Sequence, residues 1–184
     1  AKLTNDGTNA LYDWAFSAQY DEHIDPEAPR GDAEQCMKYQ GRLIHEWKVR
    51  YPAPVVASAA ALICSAPEDE RQSRLESTIA IFGRWRKRFR SCPADRLLLA
   101  ALMASSGRTA DEAEKRARDY QEALREYDFP RERETLWAAA LLARHDFPLD
   151  NLRRVRDMRD GLVRAGWSIQ AATYPYAARL ALAR

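Results

Sequence analysis

Five cations stand within seven residues of this chain. They are Arg84, Arg86, Lys87, Arg88 and Arg90, in the stretch GRWRKRFRSC over 83–92. Trp85 and Phe89 are interleaved among them at i, i+4. The guanidinium fork pairs bidentately with phosphate and carboxylate. Such a stretch can therefore bind the phosphates of RNA or DNA. On a helix, Trp85 and Phe89 share a face with Phe82, which makes them packing residues and fans the cations over the opposite, solvated face. There the cations complement the C-terminal end of the helix dipole by about 0.3–1 kcal/mol. A second basic cluster contains Arg153, Arg154, Arg156, Arg159 and Arg164. If the helices carrying the two clusters lie side by side, both clusters can face the same way. Between them, 111–128 mixes Asp111, Glu112, Glu114, Glu122, Glu126 and Asp128 with Lys115, Arg116, Arg118 and Arg125. That pattern favours intramolecular salt-bridge lacing over a continuous phosphate track.

Other chemistry has thinner support. Asp21, Glu22, His23 and Asp25 are candidate metal ligands, but they read as an acidic surface loop over 21–32 with two prolines and a glycine. Cys36, Cys64 and Cys92 are odd in number, widely spaced and without a CxxC pair. They read as small buried hydrophobes in a reducing compartment, not as a disulfide framework or a zinc site. His145 beside Asp146 reads as a helix-end residue. Glu132 and Glu134, alternating with Arg131 and Arg133, read as a dipole-favouring first turn. No GxSxG elbow, P-loop, strand-borne GxGxxG or HExxH is present. No catalytic residue, metal or cofactor is expected.

The elements that would carry these residues follow from a repeat. The clusters Ala59–Leu62, Ala100–Leu102, Ala138–Leu141 and Ala177–Leu180 place their leucines 40, 39 and 39 residues apart. Upstream, Ile44, Phe82, Tyr120 and Met158 recur at 38, followed one turn later by Trp47, Trp85, Ala123 and Gly161. Each unit reads as helix A, a short connection and helix B. The A helices fall near 33–49, 71–90, 111–127 and 149–165. The B helices fall near 54–65, 93–105, 130–144 and 168–183. Pro54, Pro93 and Pro130 stand where B helices begin, a position that tolerates a missing N–H. Ser168 is the candidate N-cap of the fourth B helix, and Gly107 and Gly166 are candidate C-caps. The B helices are apolar almost all round (97–103 reads LLLAALM), so they should form a sandwiched inner layer. Pro175, between Tyr174 and Tyr176, should kink or break the last of them. Residues 8–20 read as one more amphipathic helix covering the end of the array. The fold expected is all-α: about nine helices, as four tandem antiparallel hairpins plus an N-terminal helix. Residues 1–32 hold that helix and the acidic loop, and 33–184 form the repeat domain.

The bulk composition agrees. The chain has 184 residues, 46% hydrophobic and 30% charged, with a net charge of +2. That is enough apolar material for one sizeable core. The near-neutral balance imposes no acidic partner. All but five of its 29 cations are arginines, which composition of the genome also explains. No apolar run spans a membrane and no signal peptide is visible.

The tandem hairpin layout over 33–184 resembles the α-solenoid class, tetratricopeptide-like in architecture. It departs from that family in period, which there is about 34 residues, and in lacking the W-x2-L-G-x2-Y signature. The resemblance implies partner binding through a groove or face, without chemistry, and carries over no individual residue. The ALALAR end has no polar outer cap, so it should pack on a partner or a second copy unless the chain is cut from a longer one. The expected function is that of a cytoplasmic, bacterial, non-catalytic adaptor or scaffold. The alternative is a helical subunit of a ribonucleoprotein or defence complex, with Arg84, Arg86, Lys87, Arg88, Arg90, Arg153, Arg154 and Arg156 on phosphates.

Overall fold

The computed structural model describes residues 31–47, 53–86, 93–167 and 173–183. The expected helix at 8–20, the acidic loop with Asp21, Glu22, His23 and Asp25, and the candidate cap Ser168 lie outside the described residues. Among the described residues the fold is all-α. Its helices are α1 (Gly31–Trp47), α2 (Ala53–Cys64), α3 (Glu68–Arg86), α4 (Pro93–Ala104), α5 (Ala110–Arg125), α6 (Arg133–Arg144), α7 (Leu152–Arg164) and α8 (Thr173–Leu182). A single 3-10 turn, Leu149–Asn151, leads into α7. None of the described helices is long and apolar enough to cross a membrane.

The chain divides into two compact units, Ala1–Ala110 and Asp111–Arg184. In the first, α1 packs on α2 and α3 on α4, and α2 also lies against α4. The apolar circumference of the B helices explains that neighbourhood. Arg96 through Ala104 are buried without interruption on α4, and Val55, Val56, Ser58, Ala59, Ala60, Leu62 and Ile63 on α2. Alanines in these helices let backbones approach closely. Helix α3 is one-sided. It buries Leu75, Ile81, Phe82 and Trp85 and exposes Gln72, Ser73 and Glu76. Glu68, Asp69 and Glu70 occupy its first turn, where carboxylates suit the dipole. Arg71, itself buried, donates from Nε to the Ala66 carbonyl at 2.9 Å and closes the α2–α3 connection. Helix α1 buries Tyr39 and Leu43, while Ile44 and Met37 are exposed. The register that predicts burial at Phe82 and Tyr120 therefore does not hold at Ile44.

A disulfide joins Cys36 on α1 to Cys64 at the end of α2, with Cα atoms 5.9 Å apart. This corrects the reading of these cysteines as unpaired hydrophobes. An antiparallel hairpin brings the start of its first helix beside the end of its second, whatever the total cysteine count.

In the second unit α8 packs on both α6 and α7. Glu134 through Ala143 are buried along α6. The hydroxyl of Tyr120 on α5 donates to the Phe147 carbonyl beyond α6, and Gln121 Nε2 donates to the Glu132 carbonyl at 3.1 Å. The described residues of α8 are helical from Thr173 to Leu182, on both sides of Pro175. The expected break at Pro175 does not form.

Gly107 (φ +73°) and Gly166 (φ +91°) adopt the left-handed geometry expected of C-caps. Asp128 (φ 63°) and Asp146 (φ 50°) do the same after α5 and α6, at positions the sequence does not mark with glycine.

Candidate interaction surface

The predicted phosphate-binding residues separate into two groups. Arg84 is exposed on α3. Arg86 is the last described residue of that helix, and Lys87, Arg88 and Arg90 lie outside the described residues. On α7, the arginines make contacts within their own unit, with Arg153, Arg154 and Arg164 exposed. Arg153 and Arg156 flank Asp157 at 4.0 and 3.5 Å. Arg154 donates to the Ala183 carbonyl at 2.7 Å. Arg159 donates through Nη1 to the Tyr127 and Asp128 carbonyls at 3.2 and 3.0 Å, and pairs with Asp160 at 2.8 Å. Its guanidinium also lies over the Phe129 ring, 4.6 Å from the centroid. Arg164 Nε donates to the Asp160 carbonyl at 3.3 Å. Arg159 ties α7 to the α5–α6 connection and Arg154 ties it to the end of α8, while Arg153 meets Asp157 only at the surface.

Arg159 is the hub of a cleft of about 680 Å³, lined by Asp128, Asp157, Asp160, Val163, Arg164 and Tyr174 besides itself. The ring of Tyr174 meets Phe129 edge-on at 5.3 Å. Burial, with Glu132 and Glu134 nearby, raises the Tyr174 hydroxyl above its ordinary value near 10, against a smaller opposing pull from Arg159. A raised folded-state value means the unfolded chain ionises first. The contribution of Tyr174 to stability is therefore complete below pH ~10 and is lost as pH rises through the folded value. Thermal unfolding of wild type and Tyr174→Phe between pH 8 and 11 checks this, with the steeper alkaline loss expected in wild type.

Replacement of Arg159 by leucine removes a charged donor from two carbonyls and one carboxylate at once. We expect a loss of about 2 kcal/mol in urea unfolding, with Arg159→Lys recovering only part, since an ammonium lacks the planar fork.

The terminal hairpin α7–α8 leaves two large side chains open, Trp167 and Leu180. Three helices end on one pattern: Leu124–Phe129 (LREYDF), Leu142–Phe147 (LARHDF) and Leu162–Trp167 (LVRAGW). In each, the aromatic N–H donates back to the leucine carbonyl five residues earlier, at 3.3, 3.0 and 3.1 Å. This is the Schellman closure, in which the residue after the left-handed position packs on the helix end. The signal was present in the sequence as a leucine followed at i+5 by an aromatic, preceded by Asp or Gly. Phe129 and Phe147 are 2% and 7% exposed, but Trp167 is 46% exposed. The B-helix leucines behave alike: Leu62, Leu102 and Leu141 are buried, and Leu180 is 43% exposed. The A-helix landmarks do not follow this division: Phe82 and Tyr120 are buried, Met158 is half-buried and Ile44 is 48% exposed. Trp167 packs edge-on against Tyr176 at 5.4 Å, and Leu180 follows Tyr176 by one turn on α8. Trp167, Tyr176 and Leu180 therefore make one aromatic and aliphatic surface.

His145 ends α6, with its backbone N–H on the Leu141 carbonyl at 3.3 Å, and Asp146 pairs with Arg116 at 2.5 Å. Among the described residues, no group of three or more His, Cys, Asp or Glu is arranged to hold a metal ion. No protein-family model, curated protein or solved structure matches this chain.

Proposed function

We propose that this chain is a non-catalytic interaction module, an adaptor or scaffold of α-solenoid type built from tandem helical hairpins. It binds another protein through the face of α7 and α8. The observation that carries the reading is the open surface Trp167–Tyr176–Leu180. Its positions correspond, by helix-end pattern and by B-helix register, to residues that other hairpins bury. Large aromatic and aliphatic side chains held on rigid helices are the usual anchors of protein interfaces. Arg84 keeps the nucleic-acid alternative alive, since it is exposed on α3. The hydrogen bond of Arg154 to the Ala183 carbonyl and the pairing of Arg156 with Asp157 weigh against it. Cytoplasmic placement belongs to this proposal as well, and the Cys36–Cys64 disulfide weighs against a strongly reducing compartment.

Titration of labelled single- and double-stranded oligonucleotides at low and moderate salt separates the two readings. The adaptor reading predicts no binding. Binding that falls steeply with salt, and falls further in Arg84→Glu/Arg153→Glu, would overturn it in favour of phosphate recognition.

A further inference from the structure

We infer that the Cys36–Cys64 pair is a thiol–disulfide exchange site that latches α1 onto α2, opened by a dithiol reductant and closed again by oxidation. The inference does not depend on what the α7–α8 face binds. In the cytoplasmic placement proposed above, disulfides are as a rule transient and redox-sensing. The bond is also reachable. Cys36 is half-buried on α1, whereas Cys64, at the end of α2, is 9% exposed. A thiolate of the reductant therefore attacks the Cys36 sulfur. A sulfur–sulfur bond forms to Cys36 as the Cys36–Cys64 bond breaks, and Cys64 leaves as a thiolate that takes a proton. The second thiol of the reductant then displaces Cys36, which is protonated in turn. The reductant departs as a disulfide, and two electrons have passed to the cysteine pair.

What the bond holds is a weakly seated helix. Among the described side chains of α1, Tyr39 and Leu43 are buried, while Met37 and Ile44 are exposed. Helix α3 of the same unit buries Leu75, Ile81, Phe82 and Trp85. A hydrogen bond from Arg42 Nη1 to Gln72 Oε1 at 2.7 Å ties α1 to α3, but it is exposed to water and holds little. Gly41 stands inside α1, and nothing lies within 4 Å of where a Cβ would be. No close approach calls for glycine there, and it weakens the helix relative to alanine. Local elements with few buried apolar contacts are the ones that open below the global transition. Helix α2 packs on α1 and on α4, and its side chains are apolar almost all round. Release of α1 therefore uncovers an apolar face of α2.

The test uses the full chain carrying Cys92→Ser, so that the pair holds the only cysteines. Hydrogen–deuterium exchange is followed by mass spectrometry over seconds to minutes without denaturant, before and after dithiothreitol, and again after oxidised glutathione. Exchange across Gly31–Trp47 should rise at least ~10-fold on reduction and return on reoxidation, while α3 and α4 keep their protection. Trypsin should cut at Lys38 and Arg42 faster in the reduced chain. Gly41→Ala should narrow the difference between the two redox states, because it strengthens α1 without touching the bond. Equal exchange of α1 in both states makes the bond a passive staple and overturns the latch. Exchange rising alike in α1, α3 and α4 makes it a structural bond whose loss unfolds the whole unit, and overturns the latch as well. A pair that dithiothreitol opens only in denaturant, or that remains two thiols after oxidised glutathione, overturns the exchange site.

Discussion

Trp137→Ala should remove about 3–5 kcal/mol from the stability of the unit Asp111–Arg184, the range for emptying a buried aromatic site. Trp137 is 1% exposed on α6, a helix buried from Glu134 through Ala143. The lost transfer free energy is therefore joined by a cavity term, because neighbouring helices in mutual contact cannot collapse inward without breaking other contacts. Against a typical domain stability of about 5–15 kcal/mol, the loss approaches the threshold of folding. Trp137→Phe keeps most of the volume and should cost clearly less. Urea unfolding followed by far-UV circular dichroism measures both. A loss below ~1 kcal/mol for the alanine variant would contradict the packed inner position assigned to α6.

Loss of the Cys36–Cys64 bond has the second large expected effect. The two residues are 28 apart in sequence, and closing a loop of that length restricts the unfolded chain by about 3–4 kcal/mol in the chain-entropy model. Cys36→Ser/Cys64→Ser, or wild type under reductant, should lower the melting temperature of the unit Ala1–Ala110. The unit Asp111–Arg184 contains no cysteine and should keep its own transition. Thiol counting under denaturing conditions gives the complementary readout. One titratable thiol is expected before reduction, from Cys92, and three after it. Three thiols before reduction, with no change in melting on adding reductant, would contradict the pairing.

Helix positions were largely legible in the chain because hydrophobic periodicity and proline placement are local signals. Helices predicted at 71–90, 93–105 and 111–127 appear at Glu68–Arg86, Pro93–Ala104 and Ala110–Arg125. Gly107 and Gly166 take the left-handed geometry for which glycine is suited. What escaped depended on tertiary neighbours. The cysteine pairing needed the hairpin, not the cysteine count: the midpoint between 36 and 64 falls in the connection between α1 and α2. The fate of the α7 arginines needed the positions of the Tyr127, Asp128 and Ala183 carbonyls, which no charge pattern reports. Pro175 reads as a break in the sequence, yet the described helix Thr173–Leu182 runs through it. The aromatic helix ends were readable, since LREYDF, LARHDF and LVRAGW share one pattern. Only burial distinguishes the third of these from the first two.

The central claim is that the molecule works through the surface at Trp167, Tyr176 and Leu180. Its most direct test is photo-crosslinking in the native cells. A benzoylphenylalanine residue is placed at position 167, or at 180, and control chains carry it at position 73 on the polar face of α3 or beside the arginines at position 84. The account predicts one discrete protein adduct from 167 and 180, and none from 73 or 84. Adducts confined to position 84, especially ones removed by nuclease, would contradict it.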